Sequence, residues 1–454
     1  MDLILEPARQ TPVFASVDVL VVGSGPSGLA AAIAAAREGM STMIVERYGC
    51  FGGVITQVGV EGFAWYRHSG TVEAGGLLFE FEAKAKAMGA SSDECQSESQ
   101  ALDAEMFKCC ADRLVLDAGI TPLLHSFAVG AVVEAGCIRG VITESKSGRR
   151  VILAKRVIDC TGDGDIAALA GAPYVKSPRE KLMAATQLFS CSGLDIPAFQ
   201  DYVKDTLKPT YADWGGDWAI RTHGKEDQMF SPYIAKCFEE AVAEGMIESD
   251  EFVALGGTWS SIKPNGDITQ LNLLFQSNID STDVEDLTKA EIMGRDNALR
   301  AIRVLNEKVP GFGNARLRNF GMTIGCRESR KIEGTYCLTE QDVLNQGRFE
   351  DSIGIYPEFI DGCGLLILPT TGRYFQVPYR SLMPKLVDNL LVAGRCISGD
   401  RIAHSAFRNM SCCIVTGQGA GVAAAVSIQD GSTTSQVDIK KVQRHLERQQ
   451  VRVF

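Results

Sequence analysis

The apolar positions fall into runs whose period changes along the chain. Residues 17–22 (VDVLVV) form a β-branched run that ends at a glycine turn, residues 27–38 are alanine-rich with helical character, and residues 41–46 return to a short strand pattern. That order predicts a βαβ unit at the start of the chain. Alternation resumes over residues 126–134, 138–145 and 150–158, with turn residues between, and predicts an antiparallel meander. Residues 157–160 then run into Thr161-Gly162-Asp163-Gly164-Asp165 and a further small-residue helix. Leu287, Ile292, Leu299, Ile302 and Leu305 keep helical spacing until Pro310-Gly311 ends the pattern. A last strand over residues 390–393 precedes the turn Gly394-Arg395 and a long small-residue helix after Asn409. Residues 439–449 read as an amphipathic helix capped by Asp438. The polar stretch 91–100 (SSDECQSESQ) has no apolar period and is expected to be an exposed loop.

These elements predict an α/β chain whose Rossmann-type nucleotide-binding domain, with a mixed β-sheet, is discontinuous in sequence. Its first segment is set at residues 14–175 and its second at 321–430, with an α+β substrate domain at 176–320 between them and an amphipathic helix at 431–454. The inserted stretch is more polar, holds Trp214, Trp218 and Trp259, and carries no glycine-rich motif. Two cooperating units suit 454 residues.

Composition narrows the class. With 45% hydrophobic and 22% charged residues and a mean hydropathy of +0.02, the chain has the balance of a globular protein. A formal charge of −11 argues against nucleic acid or anionic lipid as partner, since both demand clustered Lys and Arg. The apolar runs at 29–36 and 414–428 are shorter than a membrane span needs and are expected as buried helices. The start, Met1 to Glu6, has neither the basic residues nor the apolar stretch of a secretory signal, so a cytoplasmic location is expected. The 14 cysteines lack any C-x-x-C spacing and are expected as reduced thiols, with no metal site.

The strongest chemical signal is Gly23-Ser24-Gly25-Pro26-Ser27-Gly28, a G-x-G-x-x-G spacing placed directly between a strand and a helix. Gly23 permits the tight turn, Gly25 lets the backbone approach a pyrophosphate, and Gly28 lets the helix pack close to the sheet. The uncapped N–H groups at the start of the helix favour phosphate. Glu46 ends the second strand 23 residues after Gly23, near the spacing at which a carboxylate accepts ribose hydroxyls. An ADP moiety is common to FAD and NAD. FAD is favoured by three further glycine regions suited to an extended cofactor: Gly52-Gly53, Thr161 to Asp165 with Gly162 and Asp163, and Gly394-Arg395 with Gly417, Gly419 and Gly421.

The segments Glu46-Arg47-Tyr48-Gly49-Cys50-Phe51-Gly52-Gly53, Asp159-Cys160-Thr161-Gly162-Asp163-Gly164-Asp165, Gly325-Cys326-Arg327-Glu328-Ser329-Arg330 and Asn389 to Ser398 resemble the signatures of the FAD-dependent oxidoreductase family, within the flavoprotein superfamily of glutathione reductase and fumarate reductase. The resemblance runs from about residue 17 to 425 and weakens between about 195 and 259. It implies an FAD-binding domain, a small-molecule substrate, and Arg47 beside Glu46 at the cofactor. No second G-x-G-x-x-G occurs, so electrons are expected to pass between flavin and substrate, with oxygen or a redox protein as electron acceptor. Cys50 has no C-x-x-x-x-C companion, and a packed thiol is expected rather than a redox disulfide. No attachment residue is identified, so the FAD is expected to be noncovalent. A homodimer is left open.

For catalysis, hydride transfer at flavin N5 calls for a base nearby. His404 is the first candidate, because the resemblance places its segment beside the flavin; a histidine that only hydrogen-bonds is the equal alternative. Arg408, one turn on, is read as a substrate-carboxylate ligand or as the partner of Asp400 or Glu328. Asp400 is read as a ribityl acceptor or as a solvated loop carboxylate. The helix start at Asn409 is expected at the flavin pyrimidine ring. In the Arg327 to Arg330 run, an ion pair with Glu328 is expected for Arg330, while Arg327 is open between such a pair and contact with substrate or flavin. Tyr66, Arg67, His68, Arg373 and Tyr374 are weaker candidates. Gly399-Asp400 before His404 admits a flavin monooxygenase as the second reading, and a noncatalytic electron-transfer subunit is a third.

Overall fold

The computed structural model describes residues 4–454 except 63–66, 68, 94–97, 208–220, 223–230, 249–261, 364, 368 and 370–371. Trp214, Trp218, Trp259, Tyr66 and His68 lie outside the described residues. The chain opens with β1 (Val13–Val22), α1 (Pro26–Arg37) and β2 (Thr42–Val45), the strands pairing in parallel with Val19 opposite Thr42. Only the last four residues of β1 are fully buried, which is why sequence periodicity marks its second half alone. Helix α2 (Ala104–Asp117) leads to β3 (Thr121–Leu123), parallel to β2. The meander follows as β4 (Phe127–Glu134), β5 (Cys137–Ser145) and β6 (Gly148–Asp159).

The resulting mixed seven-stranded sheet has the order β3-β2-β1-β6-β5-β4, with β12 (Leu390–Val392) also on β6. β6 is long enough, at 12 residues, to give one edge to two neighbours. Its first half pairs antiparallel with β5, and Val157 to Asp159 pair in parallel with β12. A strand from the far end of the chain thereby completes the nucleotide sheet, as a discontinuous Rossmann-type domain requires. After β6 comes the short α3 (Asp165–Leu169).

The stretch 91–100 is not simply a loop. Ser91–Asp93 pairs antiparallel with Gln100–Leu102, and the second strand is buried. Gln100 accepts from the Ser91 hydroxyl at 2.9 Å and takes the buried Glu82 carboxylate on its N–H at 3.1 Å, so long-range contacts supply what the local polar pattern hides.

The inserted stretch builds a second core. β7 (Ala185–Thr186) pairs with β10 (Phe275–Gln276), and β8 (Phe189–Ser192) lies between β9 (Ile268–Leu271) and β11 (Arg316–Phe320). The helix α4 (Val284–Lys308), capped by Asp283, covers this unit with Ala298, Ala301, Val304 and Leu305. Phe199, Phe238, Leu271 and Phe312 fill its centre. The larger core instead joins residues from 19 to 172 with residues from 332 to 453.

The end of the chain packs into that larger core. α5 (Arg401–Phe407), α6 (Met410–Gln429) and α7 (Ile439–Arg448) follow β12, and Val442 and Leu446 of α7 are buried in it. Asp438 accepts from Lys440 and Lys441 N–H, the expected cap. Among the described residues α6 is the helix long and apolar enough to cross a membrane, and it is buried inside the fold. Its glycines explain how. A Cβ on Gly417 would overlap the Ser27 carbonyl, and one on Gly421 the Ala31 carbonyl, so α6 rides directly on α1. Gly419 faces Ile353. These three glycines serve helix packing, which corrects the expectation that they approach the cofactor.

Candidate functional site

A cleft of about 390 Å³ runs from the β1–α1 turn to the wall formed by β7 and β9. At one end the backbone does the work. Gly23 has φ +93°, and a Cβ there would strike the Cys160 carbonyl; a Cβ on Gly28 would overlap the carbonyl of Gly23. Gly25 differs: its φ is −65° and the nearest atom to a Cβ would be Gly53 Cα at 3.8 Å, so its missing side chain leaves room in the cleft itself. The first turn of α1 has no side-chain cap and begins with Pro26, so its free N–H groups, Ser27 included, are available to an anion. Glu46, buried at the end of β2, accepts from Ser24 N–H (3.0 Å) and Oγ (2.6 Å) and from Tyr48 N–H (3.0 Å). Arg47 stands beside it over the Tyr48 ring at 4.8 Å.

The middle of the cleft is lined by Gly53, by the π-helical turn Val54–Val58, and by Gly162, Asp163 and Arg395. Arg395 donates to Asp163 at 2.7 Å and to Ser329 Oγ at 2.9 Å. Burial pushes the Asp163 carboxyl up, but the Arg395 charge and the donors Ser329 and Ser281 outweigh it and hold the group below its usual range. Asp159, fully buried under three donors, is pushed by burial the other way, to about 6. Gly52 and Gly394 do not line the cleft. Gly52 (φ +112°) turns the chain against Thr56, and Gly394 (φ +86°) lets Ser27 approach.

The N-terminus of α6 opens on the same cleft through Asn409 and Met410. Asn409 turns its amide back to the Ser405 and Ala406 carbonyls, leaving the helix start uncapped by a side chain. Arg408 lines the cleft beside it and pairs with Asp361, donating to its carboxylate (3.2 Å) and its carbonyl. Neither Asp400 nor Glu328 is its partner, which corrects the pairing expected from sequence. Asp400 lies off the cleft and caps α5, accepting from Ile402 and Ala403 N–H, with its other oxygen on Glu340 N–H.

His404 also departs from expectation. It is 1% exposed and packs edge-on against Phe407. Burial, with Lys331, Arg408 and Arg395 around it, holds its pKa well below the ordinary value. Ala403, Ala406 and Phe407 of α5 are buried in the core, and His404 is buried with them.

The charged run after Cys326 sorts differently as well. Arg330 pairs with Asp165 at 2.8 Å, not with Glu328, which is taken by Lys331 (2.5 Å), Ser177 (2.5 Å) and Met183 N–H (3.1 Å). Arg327 does reach the cleft. It donates to the Ala184 carbonyl (2.8 Å) and Thr186 Oγ1, faces Asn272 Oδ1 at 3.4 Å and lies 4.4 Å over the Phe275 ring. Arg67 is tied to Glu82 at 2.9 Å and Arg373 to Glu358 at 2.9 Å, both away from the cleft lining. Cys50 is a free, buried thiol whose pKa burial raises.

Several cleft residues escape sequence reading. Gln57, Thr186, Gln270, Asn272 and Glu291 line the end between the two cores. Glu291 accepts from Thr323 Oγ1 (2.8 Å) and Ile324 N–H (2.7 Å) and pairs with Arg295 (3.0 Å). No contiguous motif marks them. The two-residue spacing of Gln270, in β9, and Asn272, one residue past its end, becomes legible only once the strand is known.

The cleft's residues fit an extended dinucleotide: two uncapped helix starts, open space at Gly25 and a buried carboxylate at the ribose position. Residues 18–446 match the family described as FAD dependent oxidoreductase. Thiamine thiazole synthase of Methanococcus maripaludis is 32% identical over 158 residues, covering 32% of this chain and 56% of that protein. The Saccharolobus islandicus enzyme of the same name is 29% identical over 171 residues, 35% of this chain and 59% of that protein. The chain thus spans somewhat over half the length of these curated relatives. Among solved structures, a geranylgeranyl bacteriochlorophyll reductase-like protein from Thermoplasma acidophilum is 16% identical, with a TM-score of 0.47 over 96% of this chain and 83% of that one.

Proposed function

Since the chain belongs to the FAD-dependent oxidoreductase family and is an enzyme with FAD as cofactor, we propose that it moves a hydride between a small-molecule substrate and flavin N5, as a dehydrogenase, reductase or oxidase. The observation that carries this reading is the continuity of one cleft from the glycine turn to a polar-lined end between the two cores. Residues 176–320 then supply the substrate unit. We assign the pyrophosphate to Gly23, Gly25 and the α1 start, the adenosine ribose to Glu46 and Arg47, and the flavin to the stretch from Gly53 and Val58 across to Asn409, with no covalent link. Bound FAD supplies the two-electron acceptor.

The chain's own groups do the rest. The uncapped start of α6, with Arg408, favours negative charge at the flavin's pyrimidine side. His404, enclosed and kept neutral, is not assigned as the base. Glu291, the carboxylate on the polar end of the cleft, takes that role. Its acceptor bonds from Thr323 and Ile324 fix its position for receiving the substrate proton. Oxygenation, the second reading, loses its motif, because Asp400 of the Gly399-Asp400 pair is a helix cap.

An anaerobic screen of metabolites against the holoenzyme tests the proposal. A metabolite that bleaches the flavin band without NAD(P)H is the expected result, and bleaching by NAD(P)H alone would overturn direct substrate oxidation. Stopped-flow mixing of reduced enzyme with oxygen separates the second reading: a C4a-hydroperoxide absorbance would favour oxygenation.

A further inference from the structure

A second cavity, of about 200 Å³, adjoins the cleft. It is lined by the π-helical turn Val54–Val58 with Gly59, by the start of α2 and by β11, and it shares two residues with the cleft, Val58 and Leu188. Both are buried, whereas Met106 and Met322 of the same cavity are 41% and 52% exposed. The cavity therefore opens to solvent past the two methionines and ends inside the protein on the wall that closes the cleft.

That wall is one side chain thick, and the glycines after β11 make it so. Gly321 donates its N–H to the Leu188 carbonyl at 3.0 Å, and a Cβ there would overlap the Val58 carbonyl. A Cβ on Gly325 would lie 2.7 Å from Val58 Cγ1. The chain after β11 thus holds the two aliphatic residues in place without thickening the wall at either glycine. Neither side chain can form a hydrogen bond, so an ion would have to shed its water to pass between them. On the outer side Glu61, Asp103 and Glu105 face Arg318, itself paired with Asp267 at 3.3 Å, and this excess of carboxylate turns anions away. A molecule that crosses on ordinary rotamer motion has to be small, uncharged and apolar. Among electron acceptors, dioxygen meets that description.

We propose that dioxygen is the electron acceptor and that it reaches the flavin through this second cavity, across Val58 and Leu188. The proposal rests on the reading that the flavin lies against Val58. FAD and substrate share the cleft on that reading, and a separate entrance lets reoxidation proceed without passing them. Dioxygen takes two electrons and the N5 proton from the anionic reduced flavin and one proton from solvent. It leaves as hydrogen peroxide, and the flavin returns to its oxidised form.

The test needs no substrate. The FAD-loaded protein is photoreduced anaerobically and mixed with dioxygen in a stopped-flow instrument, and the return of the oxidised flavin band gives a second-order rate constant. Met106→Trp combined with Met322→Trp narrows the mouth and leaves the cleft lining intact, so the constant is expected to fall about fivefold or more. Leu188→Ala thins the wall, and the constant is expected to rise about threefold or more. FAD content and Tm of each variant are measured alongside. Should a variant lose FAD, the milder Met322→Phe or Leu188→Val takes its place. A constant within about twofold of the parent at the mouth or at the wall would overturn the entrance. A parent reoxidised more slowly than free reduced FAD would overturn dioxygen as the acceptor. Either failure leaves hydride transfer from a metabolite standing. A metabolite screen that bleaches no flavin would do the reverse, sinking the proposed reaction while a fast reoxidation sensitive to the mouth remained.

Discussion

The two ends of the cleft are made of different material. At the end assigned to the nucleotide the lining is largely main chain, with Glu46 and Arg47 as its charged side chains, and its shape depends on residues that lack a side chain: Gly23, Gly25 and Gly53, with Gly28 behind them. At the end assigned to the substrate the lining is side chains, from Gln57, Thr186, Gln270, Asn272, Glu291 and Arg327, drawn from segments more than two hundred residues apart. A backbone site needs a fixed local spacing and tolerates almost no substitution. A side-chain site needs only that the fold bring the right groups together, and so it is free to change with the substrate.

The largest expected effect separates two glycines within the first kind of site. Gly28→Ala would set a methyl on the Gly23 carbonyl and 3.3 Å from Cys160 Cβ, so a loss of about 3 kcal/mol in urea unfolding is expected, with no FAD retained. Gly25→Ala has an ordinary φ of −65° and open space, so the cofactor-free protein should keep its stability within about 0.5 kcal/mol. Its methyl would occupy space assigned to the pyrophosphate, and FAD affinity should fall at least tenfold. Equal unfolding of both variants would erase the distinction between a packing glycine and a ligand glycine.

Asp163→Asn probes the point where the two ends meet. Removing one partner of the buried Asp163–Arg395 pair is expected to cost about 3 kcal/mol. The Asp163 carboxyl is held below its unfolded value, so the native state binds fewer protons there than the unfolded state. Its contribution is therefore present above the usual carboxylate range and lost as pH falls through and below it. Tm measured against pH should show a steep acid limb in the parent protein and a shallower one in the variant.

The difference in material also explains what could be read beforehand. The βαβ unit, the meander and the strand at 390–392 are visible because each is a local period, and the fingerprint is visible because its glycines lie within six residues. The substrate end was hidden, since nothing local links Gln57 to Asn272 or Glu291. His404 and Asp400 mislead for a related reason: a segment's nearness to the cleft says nothing about which face of α5 turns inward, and that is set by long-range packing of Ala403, Ala406 and Phe407. The glycines of α6 mislead likewise, because close approach to another helix and close approach to a ligand demand the same residue.

Glu291→Gln tests the substrate end by chemistry. With the acceptor bonds from Thr323 and Ile324 retained by the amide oxygen and FAD content unchanged, the rate of anaerobic flavin reduction by the substrate should fall about a hundredfold, the loss typical of a missing general base. A rate within a few-fold of the parent would remove Glu291 from the proposed role and leave the base to another group.

The smallest effect on turnover is expected at the residue that sequence ranks first. His404→Leu replaces a buried, neutral ring that does not line the cleft, so flavin reduction should change less than about threefold, well under the loss of a general base. Its effect on stability should appear only in acid. The folded pKa lies well below the unfolded value of about 6.5, so the native state refuses a proton that the unfolded chain accepts, and parent stability drains away as pH falls below that value. The leucine variant should lack this part of the slope between neutrality and pH about 5. If instead the variant reduced its flavin a hundredfold more slowly at neutral pH, the histidine would have to reach the reacting atoms after all, and the core would have to open to let it do so.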